Sequence, residues 1–159
     1  MSKKIRWFIF FLILFGILGY FREFFFVYLN VIIYEKYYHS ISEAPFPEVM
    51  SVFRKFSYEA LYYSKYVFTI LWVSVFFLAN FFAVKKLSSN SSLSKILIYA
   101  YTVLLLLTAL SMTYGYFFNN GLIDDEYTLS RWLMGIAQSP IICLLLLASE
   151  KLYNKTISS

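Results

Sequence analysis

The sequence predicts an all-α, polytopic membrane protein with four transmembrane helices in an antiparallel bundle. Three observations carry that expectation. Of 159 residues, 60% are hydrophobic and only 14% charged, against about 25% charged in soluble domains. The mean hydropathy is +0.65. Apolar runs alternate with short clusters of lysine and arginine, the pattern that orients membrane helices.

The first element is expected at about 5–34. Residues 7–21 give 15 uncharged positions, Arg22 and Glu23 interrupt, and 24–34 give 11 more. Fifteen residues cover only about 22 Å at 1.5 Å each, so both stretches are read as one long helix. A secretory signal peptide competes for this segment, since Lys3, Lys4 and Arg6 precede an apolar run. No A-x-A-like site follows, and the apolar pattern resumes after Glu23, so a retained helix is favoured. Three further helices are expected at about 62–84, 96–118 and 128–149. They are drawn from uncharged runs at 66–84, 96–123 and 132–149, each long enough to cross a hydrocarbon core of about 30 Å. The whole chain is then a single transmembrane domain.

Charge assigns sides. The N-terminus, the segment 85–95 and the C-terminal tail hold eight basic residues against Glu150. The other connections hold Lys36, Arg54, Lys55, Lys65 and Arg131 against seven acids. Both termini are therefore expected in the cytoplasm. Tyrosines such as Tyr34, Tyr37, Tyr62, Tyr114, Tyr116 and Tyr127 crowd the opposite boundary as an aromatic belt. The extracytoplasmic segment 35–61 carries Pro45 and Pro47, and beyond them 48–65 is expected as a short amphipathic surface helix. The acceptor-like triplets at Asn90 and Asn154 fall on the cytoplasmic side and are set aside.

Residue counts exclude much chemistry. Cys143 is the only cysteine and His39 the only histidine, so no disulfide, thiol relay, zinc set or bis-histidine haem site can be assembled within one chain. No catalytic residue, cofactor or metal ligand is expected. The net charge of +5 flanks apolar runs and does not line one polar face, which argues against nucleic acid.

Polar side chains in a membrane are expected to face the bundle interior. On the first helix Gly16, Gly19, Glu23 and Asn30 share an arc of about 60°. Thr102, Ala109, Thr113 and Tyr116 do so on the third, and Arg131, Gly135, Gln138 and Ser149 on the fourth. Thr69, Ser74 and Asn80 scatter around the second. Glu23 and Arg131 are expected to pair as an intramembrane ion pair, with Asn30, Gln138 and Thr113 as further interior polar groups. Arg22 points about 100° away from Glu23, towards lipid headgroups. Pro140 is expected to kink the fourth helix, leaving the Ile136 carbonyl to Gln138 or Ser139.

Two stretches carry a resemblance: Gly19-Tyr-Phe-Arg-Glu-Phe-Phe-Phe26, and Leu129-Ser-Arg-Trp-Leu-Met-Gly-Ile-Ala-Gln-Ser-Pro140. With four spans and cytoplasmic termini, the chain resembles small membrane proteins associated with bacterial exosortases. That resemblance implies a non-catalytic accessory of protein sorting or envelope biogenesis in the bacterial inner membrane. It implies no catalytic residue, because the Cys/Arg/His set of the exosortases themselves is absent. The expected partners are the lipid bilayer and a larger membrane protein, or a second copy in a homodimer. The competing expectation is a small dimeric transporter or channel with a polar path between the first, third and fourth helices. A lipid-directed membrane enzyme is disfavoured, since the only clustered acids, Asp124, Asp125 and Glu126, fall in a short loop.

Overall fold

The computed structural model describes residues 2–39, 46–118 and 128–158. Among them the chain is helical throughout: α1 (Lys3–Tyr38), α2 (Glu48–Ser51), a 3-10 turn (Val52–Lys55), α3 (Tyr58–Leu87), α4 (Ser92–Phe118), α5 (Thr128–Ala137) and α6 (Ile141–Ser158). By length and composition α1, α3 and the Ser92–Gly115 part of α4 can each cross a membrane. The segments Leu129–Ala137 and Ile141–Asn154 qualify only as a pair, bent by 63°. The described residues thus hold three membrane-spanning candidates, or four if the bent pair is one span. The acids Glu43, Asp124, Asp125 and Glu126, together with Pro45 and Tyr127, lie outside the described residues, as does the side chain of Tyr116.

Several expected boundaries shift. The first helix runs on to Tyr38, because Glu35 and Lys36 are good helix formers and Glu35 finds a partner. It ends at His39, whose φ of 51° is the left-handed conformation that stops a helix. The surface helix expected over 48–65 is divided. Pro47 starts α2, the 3-10 turn follows, and Phe56 is extended (φ −84°, ψ 152°). Ser57 then caps α3, accepting the Ala60 N–H at 3.3 Å, so the second span begins at Tyr58 rather than 62. The segment expected as the fourth span is two helices, and α6 continues past residue 149 to Ser158.

The chain forms two compact units, Met1–Phe15 with Val73–Ser159, and Gly16–Trp72. In the first, buried Phe11, Val73, Ala83, Val84, Leu93, Leu97, Tyr101, Ala137, Ile142 and Cys143 form one core. The positions on α4 recur every four residues, one face of a helix. Trp7, Phe11 and Phe15 run along α1, and Phe15 stacks on Phe76. Tightly packed aromatics matter here because lipid is as apolar as the core, so packing and polar pairing must hold the helices. The connection from α3 to α4 is held by hydrogen bonds. Asn90 Oδ1 accepts the Ser92 N–H at 2.9 Å, and Glu150 from α6 accepts the N–H groups of Ser89 and Asn90 at 2.9 and 3.2 Å.

In the second unit Leu29, Ile32, Met50 and Leu61 are buried together. Phe25, Phe53 and Phe68 meet edge to face beside them. Arg54 reaches back to α1, donating to Glu35 at 2.9 Å while its guanidinium lies 4.2 Å over the Phe46 ring. Phe46 in turn meets Tyr28 edge to face. The Pro47 corner is therefore fastened to α1 by the Arg54–Glu35 ion pair and the Phe46–Tyr28 contact, and the cation–π contact ties Arg54 to Phe46 within the corner.

Candidate functional site

In the first unit the buried polar side chains of Asn80 and Gln138 lie where α5 gives way to α6. Proline at 140 has no N–H, so the helical bond to the Ile136 carbonyl is lost. The Ser139 hydroxyl replaces it, donating to that carbonyl at 2.7 Å. The last helical N–H of α5, that of Gln138, still reaches Met134 at 3.0 Å, and α6 resumes with Leu144 donating to Pro140 at 3.0 Å. Between them the carbonyls of Ala137 and Ser139 turn out of the helical ladder. In hydrocarbon each would cost several kcal/mol if left alone.

Both find donors on other helices. The Tyr101 hydroxyl, on α4, donates to Ala137 at 2.9 Å. Asn80 Nδ2, on α3, donates to Ser139 at 3.0 Å and to the Tyr101 oxygen at 2.8 Å. These partners fix every proton: backbone carbonyls can only accept, so the amide must present its nitrogen and the phenol must pass its proton on. Asn80 is completely enclosed. Its Oδ1 is buried with no donor among the described residues. Gln138 and Cys143 are buried at the same junction. The arrangement is neutral and built for hydrogen bonding. It contains no acid–base pair, and among the described residues no group of three His, Cys, Asp or Glu side chains is placed to hold a metal.

The residues singled out in the sequence fall unevenly. Gln138 is buried and Asn30 half-buried, whereas Thr113 is exposed and donates to its own helix at Ala109. The face that α4 buries is Leu93, Leu97, Tyr101 and Thr108, so the expected stripe of Thr102, Ala109 and Thr113 is corrected by about one residue's rotation. Larger side chains took the packing face. Glu23 has 67% of its side chain exposed, and its carboxylate accepts from Arg22 at 3.2 Å. Arg131 is exposed on α5. The interior placement expected for these two charges is therefore corrected: on α1 the buried positions are Phe11, Leu29 and Ile32. Arg22 also lies 5.8 Å from the Phe26 ring centroid.

Asn80, Tyr101 and Ser139 form a site that helical periodicity did not reveal. The available signals were an asparagine alone in an aromatic helix and a tyrosine deep in a span, away from any belt.

Comparison with known protein families, curated proteins and solved structures returns no match. The resemblance to exosortase-associated membrane proteins rests on the two quoted stretches and the expected four-span architecture.

Proposed function

We propose that this chain is a non-catalytic accessory subunit of a larger envelope or protein-sorting assembly in the bacterial inner membrane. In that reading its spans form an antiparallel bundle with both termini in the cytoplasm, following the charge distribution. One observation carries the choice of scaffold over conduit. Asn80, Tyr101 and Ser139 of the first unit are directed at each other and at the α5–α6 junction, where they brace a bend. A network that spends its donors on backbone carbonyls ties helices together and offers little path to a solute. Outward, large apolar side chains such as Val67, Ile70, Leu71, Leu78 and Phe82 on α3 face lipid or another membrane protein. The test is affinity purification in mild detergent with mass spectrometry. A stoichiometric larger membrane partner is expected; recovery of the chain only with itself would refute the reading.

A second reading, a small dimeric transporter or channel, is favoured by the break itself, since interrupted helices line pathways in many transporters. Thr102, Thr113 and Arg131 are exposed, so a polar path between helices would need a second copy to close over it. Solute flux in vesicles reconstituted with the pure protein, abolished by changes at Thr113 or Arg131, would establish this reading over the first.

A further inference from the structure

The most strongly charged surface of the first unit lies at the end where α1 begins, α3 ends and α4 begins. Lys3, Lys4 and Arg6 stand on α1, Lys85 and Lys86 on α3, and Lys95 one turn into α4, all exposed. Contacts tie these elements together. Lys4 Nζ donates to Ser89 Oγ at 2.8 Å, and Lys86 Nζ lies 5.4 Å from the Trp7 ring centroid. Among the described residues the acid at this end is Glu150, and its carboxylate is turned to the Ser89 and Asn90 N–H groups. The salt bridges found among the described residues, Arg22–Glu23 and Glu35–Arg54, lie elsewhere. The Ser89, Asn90 and Ser92 amides are already bonded, so an anion arriving here would meet chiefly lysine and arginine side chains. Directly beyond the cations, exposed apolar side chains begin on the same helices: Phe8, Ile9 and Phe10 on α1, Phe82 on α3, Ile96 on α4.

We propose that this end of the first unit binds the phosphate headgroup of anionic phospholipids, with the acyl chains lying along the adjacent apolar helix faces. Charge selects a phosphate-bearing ligand, and the step from cations to exposed apolar surface within about one helical turn selects a lipid over a soluble anion. Trp7, half-buried under Lys86, is the kind of amphipathic ring that sits at headgroup depth. The site goes beyond the accessory-subunit reading and does not depend on which side of the membrane this end faces.

The test uses the full-length protein in neutral detergent, titrated with phosphatidylglycerol or with phosphatidylcholine of the same acyl chains, while thermal unfolding is followed. Phosphatidylglycerol is expected to raise the midpoint and phosphatidylcholine to leave it, with the difference fading at high salt. The double variant Lys85→Gln/Lys86→Gln should weaken the apparent affinity for phosphatidylglycerol, by roughly fivefold per lysine. Lys85→Arg/Lys86→Arg should retain it. Equal shifts from the two lipids, an unchanged affinity in the glutamine variant, or the same stabilisation by inorganic phosphate would each overturn the proposal. Should the glutamine variant not fold, native mass spectrometry of the unaltered protein decides. Retained phosphatidylglycerol in preference to phosphatidylcholine is expected, and equal retention overturns it.

Discussion

Asn80 and Tyr101 form a relay across two helices: the amide donates to the phenol at 2.8 Å, and the phenol donates to the Ala137 carbonyl at 2.9 Å. Each bond supports the other, because a hydroxyl that accepts a hydrogen bond donates more strongly. The relay ends on a carbonyl that its own helix has abandoned.

Tyr101→Phe should therefore destabilise the protein by about 1–3 kcal/mol, since it strands the Ala137 carbonyl and one Asn80 N–H in a dry site. Asn80→Leu should cost a similar amount. Because the two side chains share a bond, the double variant should lose less than the sum of the single losses, by about 0.5–3 kcal/mol. Thermal unfolding in a fixed detergent measures the cycle; additive losses would show that the two residues act separately.

Pro140→Ala should leave the bend in place. The alanine regains an N–H, but the Ile136 carbonyl already accepts from Ser139, and the Ala137 and Ser139 carbonyls remain held by Tyr101 and Asn80. Spin labels at the exposed positions Trp132 and Leu152 read the angle. A straight helix would separate the two backbone sites by roughly 30 Å, and the 63° bend shortens that by several ångströms. The short distance should persist in Pro140→Ala and lengthen only when Asn80→Leu is added.

Arg54→Gln should loosen the second unit. Glu35 has only 10% of its side chain exposed, so losing its cation leaves a largely enclosed carboxylate, whereas Arg54 is 38% exposed and partly screened. A loss of about 1–3 kcal/mol is expected, below the range for fully buried pairs. Glu35→Gln/Arg54→Gln should recover part of it, and protease sensitivity after α1 should follow the same order. Equal sensitivity in all variants would count against the clamp.

Sidedness can be read with single cysteines. Cys143 is buried, so background labelling should be low. A cysteine at Val49, which is exposed, should react with impermeant maleimide in intact cells, and one at Ser91 should react only after permeabilisation. The reverse pattern would invert the orientation.

Hydropathy made the spans legible because it is a property of each segment alone: α1, α3 and α4 were all visible as apolar runs. Helix ends were less so. The extension to Tyr38 depends on Glu35 being held by Arg54 from nineteen residues away, and the start at Tyr58 on one serine cap. Pro140 was visible for the same reason as the runs, since its missing N–H is intrinsic. Ser139, one of the two residues expected to take the Ile136 carbonyl, does so, but the bracing by Asn80 and Tyr101 was not legible, because Asn80 gains meaning only from the carbonyls that face it. The stripes misled on α1 and α4 for a related reason. Angular clustering shows which residues share a face, and does not say that the face is the packed one. The packed positions went to Phe11, Leu29 and Ile32 on α1 and to Leu93, Leu97, Tyr101 and Thr108 on α4.

The break between α5 and α6 also bears on how the protein is made. Ten residues of α5 rise about 15 Å and the apolar start of α6 about as much, so neither crosses a bilayer by itself. Released alone into lipid, the pair would carry the exposed carbonyls of Ala137 and Ser139 with it. The donors that quiet them sit on α3 and α4, which leave the ribosome first. If the pair is one span, its insertion would be templated by helices already in place. A chain ending after Phe118 would keep the Asn80 and Tyr101 donors ready, and residues 128–158 supplied as a separate polypeptide could dock onto them and rebuild the protein from two pieces.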